Sequence, residues 1–127
     1  MTSSPVLILD DDEDLLEAVG GLLDVMTRCP SLKVRSYDEL VHARAQAMTC
    51  AVAILDVNLG PGQPSGLDAY HWLRGQRFGG RILFLTGHAQ THPLVREAAA
   101  LDGVLVLRKP IGLDELRQAV DGSSRAG

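Results

Sequence analysis

The chain of 127 residues contains no run of basic residues, no long apolar stretch, few aromatics and only two cysteines, Cys29 and Cys50. Each absence removes a class of function. Phosphate backbones are held by Lys and Arg, so a formal net charge of -4 without a basic patch argues against a nucleic-acid surface. A membrane span needs about 18 or more consecutive apolar residues, and with none present no membrane insertion is expected. The start, Met1-Thr2-Ser3-Ser4-Pro5, lacks the basic opening and apolar run of a signal peptide. Two unmotivated cysteines in such a chain read as free thiols of a reducing cytosol, so a cytoplasmic location is expected. With 46% hydrophobic and 4% aromatic residues, the core must be built mostly from Leu, Val, Ile and Ala. Met1 suggests a natural start. The tail from Asp121 to Gly127 reads as frayed, and fits either a natural end or a cut from a longer chain.

What is present is a regular alternation. Val6-Leu7-Ile8-Leu9 is a continuous apolar run that stops at Asp10-Asp11-Asp12. Such runs suit strands buried on both faces, as in parallel sheets. From Leu15 to Met26 the apolar residues take helical spacing, with Asp12, Glu13 and Asp14 crowding the start, where the helix dipole favours negative charge. Leu32 to Tyr37 reads as a second strand. Ser36 and Glu39 have capping-box spacing for a helix over Asp38 to Ala47. Ala51 to Leu55 is a third apolar run, ending on Asp56. A Gly- and Pro-rich loop, Gly60 to Gly66, leads to a helix with Leu67, Tyr70, His71, Trp72 and Leu73. Ile82 to Leu85 ends on Thr86, and helix-like sequence resumes near Pro93. Val104 to Leu107 ends near Lys109-Pro110, and a last helix spans Leu113 to Val120. Strands and helices alternating in this way predict an α/β fold with helices on both faces of a parallel five-stranded sheet. No internal repeat or linker divides the chain, so residues 1–121 are expected to form one domain, with 122–127 as a tail.

In an open α/β sheet, ligands bind outside the carboxyl ends of the strands. Four of the apolar runs end there on Asp10-Asp11, Asp56, Thr86 and Lys109. Each residue alone has an ordinary explanation: Asp and Thr after a strand often cap the next helix, and a Lys before Pro is often simply solvated. Their convergence on one edge is harder to dismiss. Two like charges about 4 Å apart repel by roughly 4 kcal/mol at an effective dielectric near 20, so clustered carboxylates need a cation or protons. Oxygen donors without His or Cys select Mg²⁺ or Mn²⁺ over zinc. A carboxylate beside such a metal can attack phosphorus, while an ammonium and a hydroxyl stabilise the phosphoryl oxygens.

At these residues the sequence resembles the response-regulator receiver domains of two-component phosphorelays, the CheY-like superfamily. Leu7-Ile8-Leu9-Asp10-Asp11 resembles the acidic pair after the first strand. Ile54-Leu55-Asp56 resembles the phosphoacceptor segment, Leu85-Thr86-Gly87-His88 the segment of the switch hydroxyl, and Lys109-Pro110 the Lys-Pro after the fifth strand. The motifs occur in order across essentially the whole chain. The resemblance implies a flavodoxin-like (βα)5 sheet in the order 2-1-3-4-5. It implies Asp56 as the phosphorylated nucleophile, and Mg²⁺ (or Mn²⁺) held by Asp11, Asp56 and the backbone carbonyl of Asn58, with Asp10 acting through water. Thr86 would move to the phosphoryl group and Lys109 would pair with it. The phosphodonor would be a sensor histidine kinase or a histidine phosphotransfer protein. Output would pass to a downstream protein through Ala98 to Val106 and the final helix. The chain would catalyse only its own phosphorylation and dephosphorylation, and in that sense is no enzyme.

Two departures stand out. The position that holds Tyr or Phe in many receivers, shortly before the Lys, holds Val106, so the usual coupling of hydroxyl movement to an aromatic rotamer does not carry over. The loop after Asp56 is also longer than usual, and is expected to shape access through Gly60, Gly62 and Gly66. Other readings compete. A phosphatase with Asp10 as nucleophile would use Asp12 as its second acid, but no cap domain is evident. A receiver-like docking module would carry no phosphate. An EF-hand over Asp10 to Asp14 fails, because Leu15 and Gly21 stand where Gly and Glu are needed. The loop glycines do not form a dinucleotide fingerprint, and His88 and His92 lack the Glu of a zinc-protease motif.

Overall fold

The computed structural model describes residues 4–26, 30–60, 62–87, 91–109 and 112–121. Cys29, Pro61, His88, Pro110 and the tail 122–127 lie outside the described residues. Five strands, β1 (Val6–Leu9), β2 (Ser31–Val34), β3 (Val52–Asp56), β4 (Arg81–Thr86) and β5 (Leu105–Arg108), form one sheet. All pairings are parallel and the order is β2-β1-β3-β4-β5, the 2-1-3-4-5 arrangement expected from the resemblance. Among the described residues, no helix is long and apolar enough to cross a membrane.

Alternation along each strand sends side chains to opposite faces. Val6, Ile8, Ile54, Leu83 and Leu85 pack on one face with Leu16, Val19 and Leu23 of α1 (Glu13–Met26) and Leu116 of α6 (Leu113–Asp121). Leu7, Leu9, Ala53, Leu55 and Phe84 pack on the other. There they meet Leu40 of α2 (Tyr37–His42), Ala47 of α3 (Arg44–Ala47), Leu67 and Leu73 of α4 (Gly66–Gly75) and Val95 of α5 (Pro93–Ala99). Burial on both faces explains why β1 and β3 read as unbroken apolar runs. Cys50 is a free, buried thiol, pushed up to about 11 by burial.

Two predicted elements change. The second strand stops at Val34 instead of running to Tyr37, because Ser36 turns the chain into α2. Ser36 Oγ accepts from Glu39 N at 3.1 Å, while the Glu39 carboxylate accepts from Arg35 N at 2.8 Å, one residue before the position a capping box uses. The helix predicted over Asp38 to Ala47 is interrupted at Ala43, whose φ and ψ are -96 and 22. Ala43 N–H is shared there between Glu39 O at 3.0 Å and Leu40 O at 3.1 Å, the tightened last turn of a helix end.

The β3–α4 connection is held at its far end by a capping box that the sequence reading overlooked. Ser65 Oγ accepts from Leu67 N and Asp68 N, and the Asp68 carboxylate accepts from Ser65 N at 2.7 Å. Gly66, the first residue of α4, sits where an added Cβ would collide with the Asp56 carbonyl, and its N–H donates to Val57 O at 3.0 Å. Only glycine fits this approach of helix to strand end. At its other end α4 closes with Phe78 N bonded to Leu73 O and Arg77 N to Arg74 O, which puts Arg77 at φ 66.

Candidate functional site

The strand order reverses between β1 and β3, and a crevice opens there beyond their carboxyl ends. Asp10 follows β1 and its N–H donates to Val34 O on β2 at 3.1 Å. Its Oδ1 accepts from Asp12 N at 2.9 Å, and Asp12 Oδ1 in turn caps α1 through Asp14 N at 3.0 Å. The start of α1 thus fixes the direction of the Asp10 carboxylate. Asp56 ends β3, paired in register with Leu85. Lys109 follows β5, and its N–H donates to Thr86 O at 2.7 Å.

These elements bring Asp10, Asp11, Asp56, Asn58 and Lys109 around one pocket of about 440 Å³, together with Asp12, Gly60 and Gly87. Asp10 and Asp56 are buried and Asp11 is exposed; a carboxylate oxygen from each lies within 4.8 Å of the others. The Lys109 ammonium stands 2.8 Å from Asp10 Oδ2 and 3.4 Å from Asp56 Oδ1. Asn58 Oδ1 accepts from Gly60 N at 2.9 Å, which pins the first turn of the loop. Thr86, the remaining sequence-predicted residue, is buried but does not line this pocket. It lines a second cavity, on the α5 side of β4.

The electrostatics follow from burial. Asp56 is pushed up to about 7, first by desolvation and then by the Asp10 charge, with Lys109 opposing both. Asp10 is also raised, chiefly by burial. For Lys109 burial disfavours the ammonium, but the hydrogen bond and charge of Asp10 and the charge of Asp56 outweigh it and raise its pKa. A single ammonium therefore faces three carboxylates, and the set remains short of positive charge. Asp10 Oδ2 is buried, and the Lys109 ammonium at 2.8 Å is its one charged neighbour of opposite sign among the described residues. An all-oxygen cluster of three carboxylates facing one ammonium fits a hard divalent cation with its water.

The chain belongs to the response regulator receiver domain family, whose model matches residues 6–121. Solved structures share its fold. A CheY-like receiver domain from Methylobacillus flagellatus is 21% identical with a TM-score of 0.76, over 95% of this chain and 98% of that one. The signal receiver domain of the putative response regulator NarL from Mycobacterium tuberculosis is 21% identical with a TM-score of 0.77, over 100% of both chains. A response regulator from Burkholderia pseudomallei is 24% identical with a TM-score of 0.77, over 98% of this chain and 71% of that one; its structure holds a phosphorylated aspartic acid, a calcium ion and citrate. No curated protein matches this chain in sequence.

Proposed function

We propose that Asp56 accepts a phosphoryl group in a reaction that depends on Mg²⁺ or Mn²⁺. The supporting observation is the buried Asp56 carboxylate held in one pocket with Asp10, Asp11 and Lys109. Asp11, Asp56 and the Asn58 carbonyl would hold the cation, and Asp10 would act through its water. When bound, the cation lowers the pKa of Asp56 and neutralises charge on the phosphoryl oxygens.

The chemistry of the chain's own groups is then direct. An oxygen of ionised Asp56 attacks phosphorus. The P–N bond of a phosphohistidine breaks, and its electron pair leaves on the imidazole nitrogen. Lys109 shifts its charge from Asp10 and Asp56 toward the new phosphoryl group. Thr86 leaves its place on the α5 side and donates its hydroxyl to a phosphoryl oxygen. Hydrolysis of the acyl phosphate restores Asp56, so the chain acts on itself and is not a turnover enzyme. The donor is a sensor histidine kinase or a histidine phosphotransfer protein of the cytoplasm, and the phosphorylated form signals to a downstream protein.

The test is intact mass after incubation with phosphoramidate, with and without Mg²⁺, for wild type and Asp56→Asn. One phosphate adduct on wild type with Mg²⁺, and none in the other samples, is the expected outcome. No adduct on wild type despite bound metal would overturn the reading.

A further inference from the structure

The second cavity, of about 550 Å³, opens between α5 and β5 and shares no lining residue with the Asp56 pocket. Thr86, Val95, Ala99, Ala100 and Val106 line its inside, and Arg96 and Arg108 stand at its rim. The hollow exists because both of its sides are low. Val106 is paired in register with the buried Phe84 of β4 but reaches only a short way from the edge strand. Ala99 and the C-cap Ala100 add little from the helix side. The volume falls within the roughly 300–1,000 Å³ of small-molecule pockets. Arg96 and Arg108 are exposed, and neither forms an ion pair among the described residues. In a chain of net charge -4, two such guanidiniums over an apolar hollow make a local field opposite in sign to the net charge.

We infer that this hollow binds a small aromatic acid, whose flat ring lodges between α5 and β5 and whose carboxylate, on a short arm, is held at Arg96 and Arg108. A gap bounded by a helix on one side and a strand on the other is narrow in one direction, which suits a planar ring better than a branched chain. A cavity walled by Val and Ala holds water poorly and takes up an aromatic guest, because the ring supplies the dispersion contacts that its lining otherwise lacks. The guanidiniums then select the charge. Their paired N–H donors match the two oxygens of a carboxylate, whereas a neutral arm forfeits that attraction and an ammonium is repelled. Thr86 is the remaining polar side chain of the lining, so the ring itself is otherwise apolar. The ligand is thus an aryl acid about the size of an indole or phenyl acetate. The site uses none of the carboxylates around Asp56, and it stands whether or not Asp56 takes up phosphate.

The test is a ¹H–¹⁵N NMR titration of the whole, metal-free chain with indole-3-acetate. Saturable shifts centred on Val95, Ala99, Val106 and Arg108 are expected, with a Kd of about 1 mM or tighter for a ligand of this size. Indole-3-ethanol keeps the ring without the charge and should bind about tenfold more weakly. Tryptamine, with the charge reversed, should bind more weakly still, and acetate alone should give no saturable shifts at these residues. Arg96→Gln and Arg108→Gln should each weaken binding of the acid about threefold. Val106→Phe puts a ring of the chain's own into the hollow and should abolish binding; Ala99→Trp, a change at an exposed position, should do the same if the first variant does not fold. Asp56→Asn should bind as wild type does. Absence of saturable shifts, equal binding of tryptamine, or full binding by folded Val106→Phe or Ala99→Trp would overturn the site. Shifts centred instead on Asn58, Gly87 and Lys109, or an affinity that changes in Asp56→Asn, would put the acid in the Asp56 pocket and overturn the site as well.

Discussion

The pocket at Asp56 and the hollow at Val106 are separated by one strand end, that of β4, yet they are built in opposite ways. The pocket is over-determined: Asp12 aims Asp10, Lys109 bridges Asp10 and Asp56, and Gly66 presses α4 against the end of β3. The hollow is under-filled: its lining of Val and Ala leaves space, and its arginines have no partner among the described residues. Clustered carboxylates need fixed partners to offset their charge, whereas an apolar wall of small side chains can leave its space unfilled. Thr86 touches the second region while belonging by its position to the first.

This contrast predicts a graded set of effects. The largest is Gly66→Ala. A methyl group cannot fit against the Asp56 carbonyl, so urea unfolding should show a loss upward of about 3 kcal/mol, and phosphate uptake measured by intact mass should fall with it. Next is Asp56→Asn in metal-free protein. Burial raises Asp56 from 3.8 to about 7, so between those values the folded chain holds more protons than the unfolded one, and stability falls as pH rises through that window. The amide removes this loss. Denaturation should find the variant about 2 to 3 kcal/mol more stable than wild type at pH 8 and no more stable at pH 4. The same linkage makes metal binding release a proton, so Mg²⁺ affinity followed by calorimetry should decline as pH drops below about 7. Ser65→Ala should cost about 1 kcal/mol by removing one arm of the α4 capping box, visible as a lower Tm. Smallest is Val106→Phe, where the hollow accepts the ring: thermal unfolding should move by less than about 1 kcal/mol. If Val106→Phe instead destabilised as strongly as Gly66→Ala, the two regions would be equally packed and the contrast would fail.

The polar pocket was largely legible in the sequence because its residues sit where apolar runs stop. A buried parallel strand announces itself by unbroken hydrophobicity, and Asp10, Asp56 and Lys109 mark the breaks. Parallel pairing then brings those breaks to one edge. Thr86 marks a break in the same way, but its position off the Asp56 pocket depends on which face of β4 its side chain takes, a matter of strand parity that the run alone does not display. The short β2 was misjudged because Lys33, Arg35 and Tyr37 suit a strand as well as a turn, and the competing cap at Ser36 decided it. The Ser65–Asp68 box was legible as Ser followed by an acid at capping spacing, but lay hidden in a segment dominated by Gly and Pro. The hollow was not read, since it depends on how Val95 and Ala99 of α5 face Val106 of β5, all three being small.

The connection between β3 and α4 is rooted at both ends, and between them Gln63 N–H donates to Gly60 O at 3.2 Å. Asn58 fastens the near side through Gly60 N, and Ser65, Gly66 and Val57 fasten the far side. Exchanges at the exposed Gln63 and Pro64, between these roots, therefore have little leverage on the carboxylates below. On the reading proposed for Asp56, the loop is insulated variation: what meets a phosphodonor can be reshaped there while the carboxylate cluster stays unchanged.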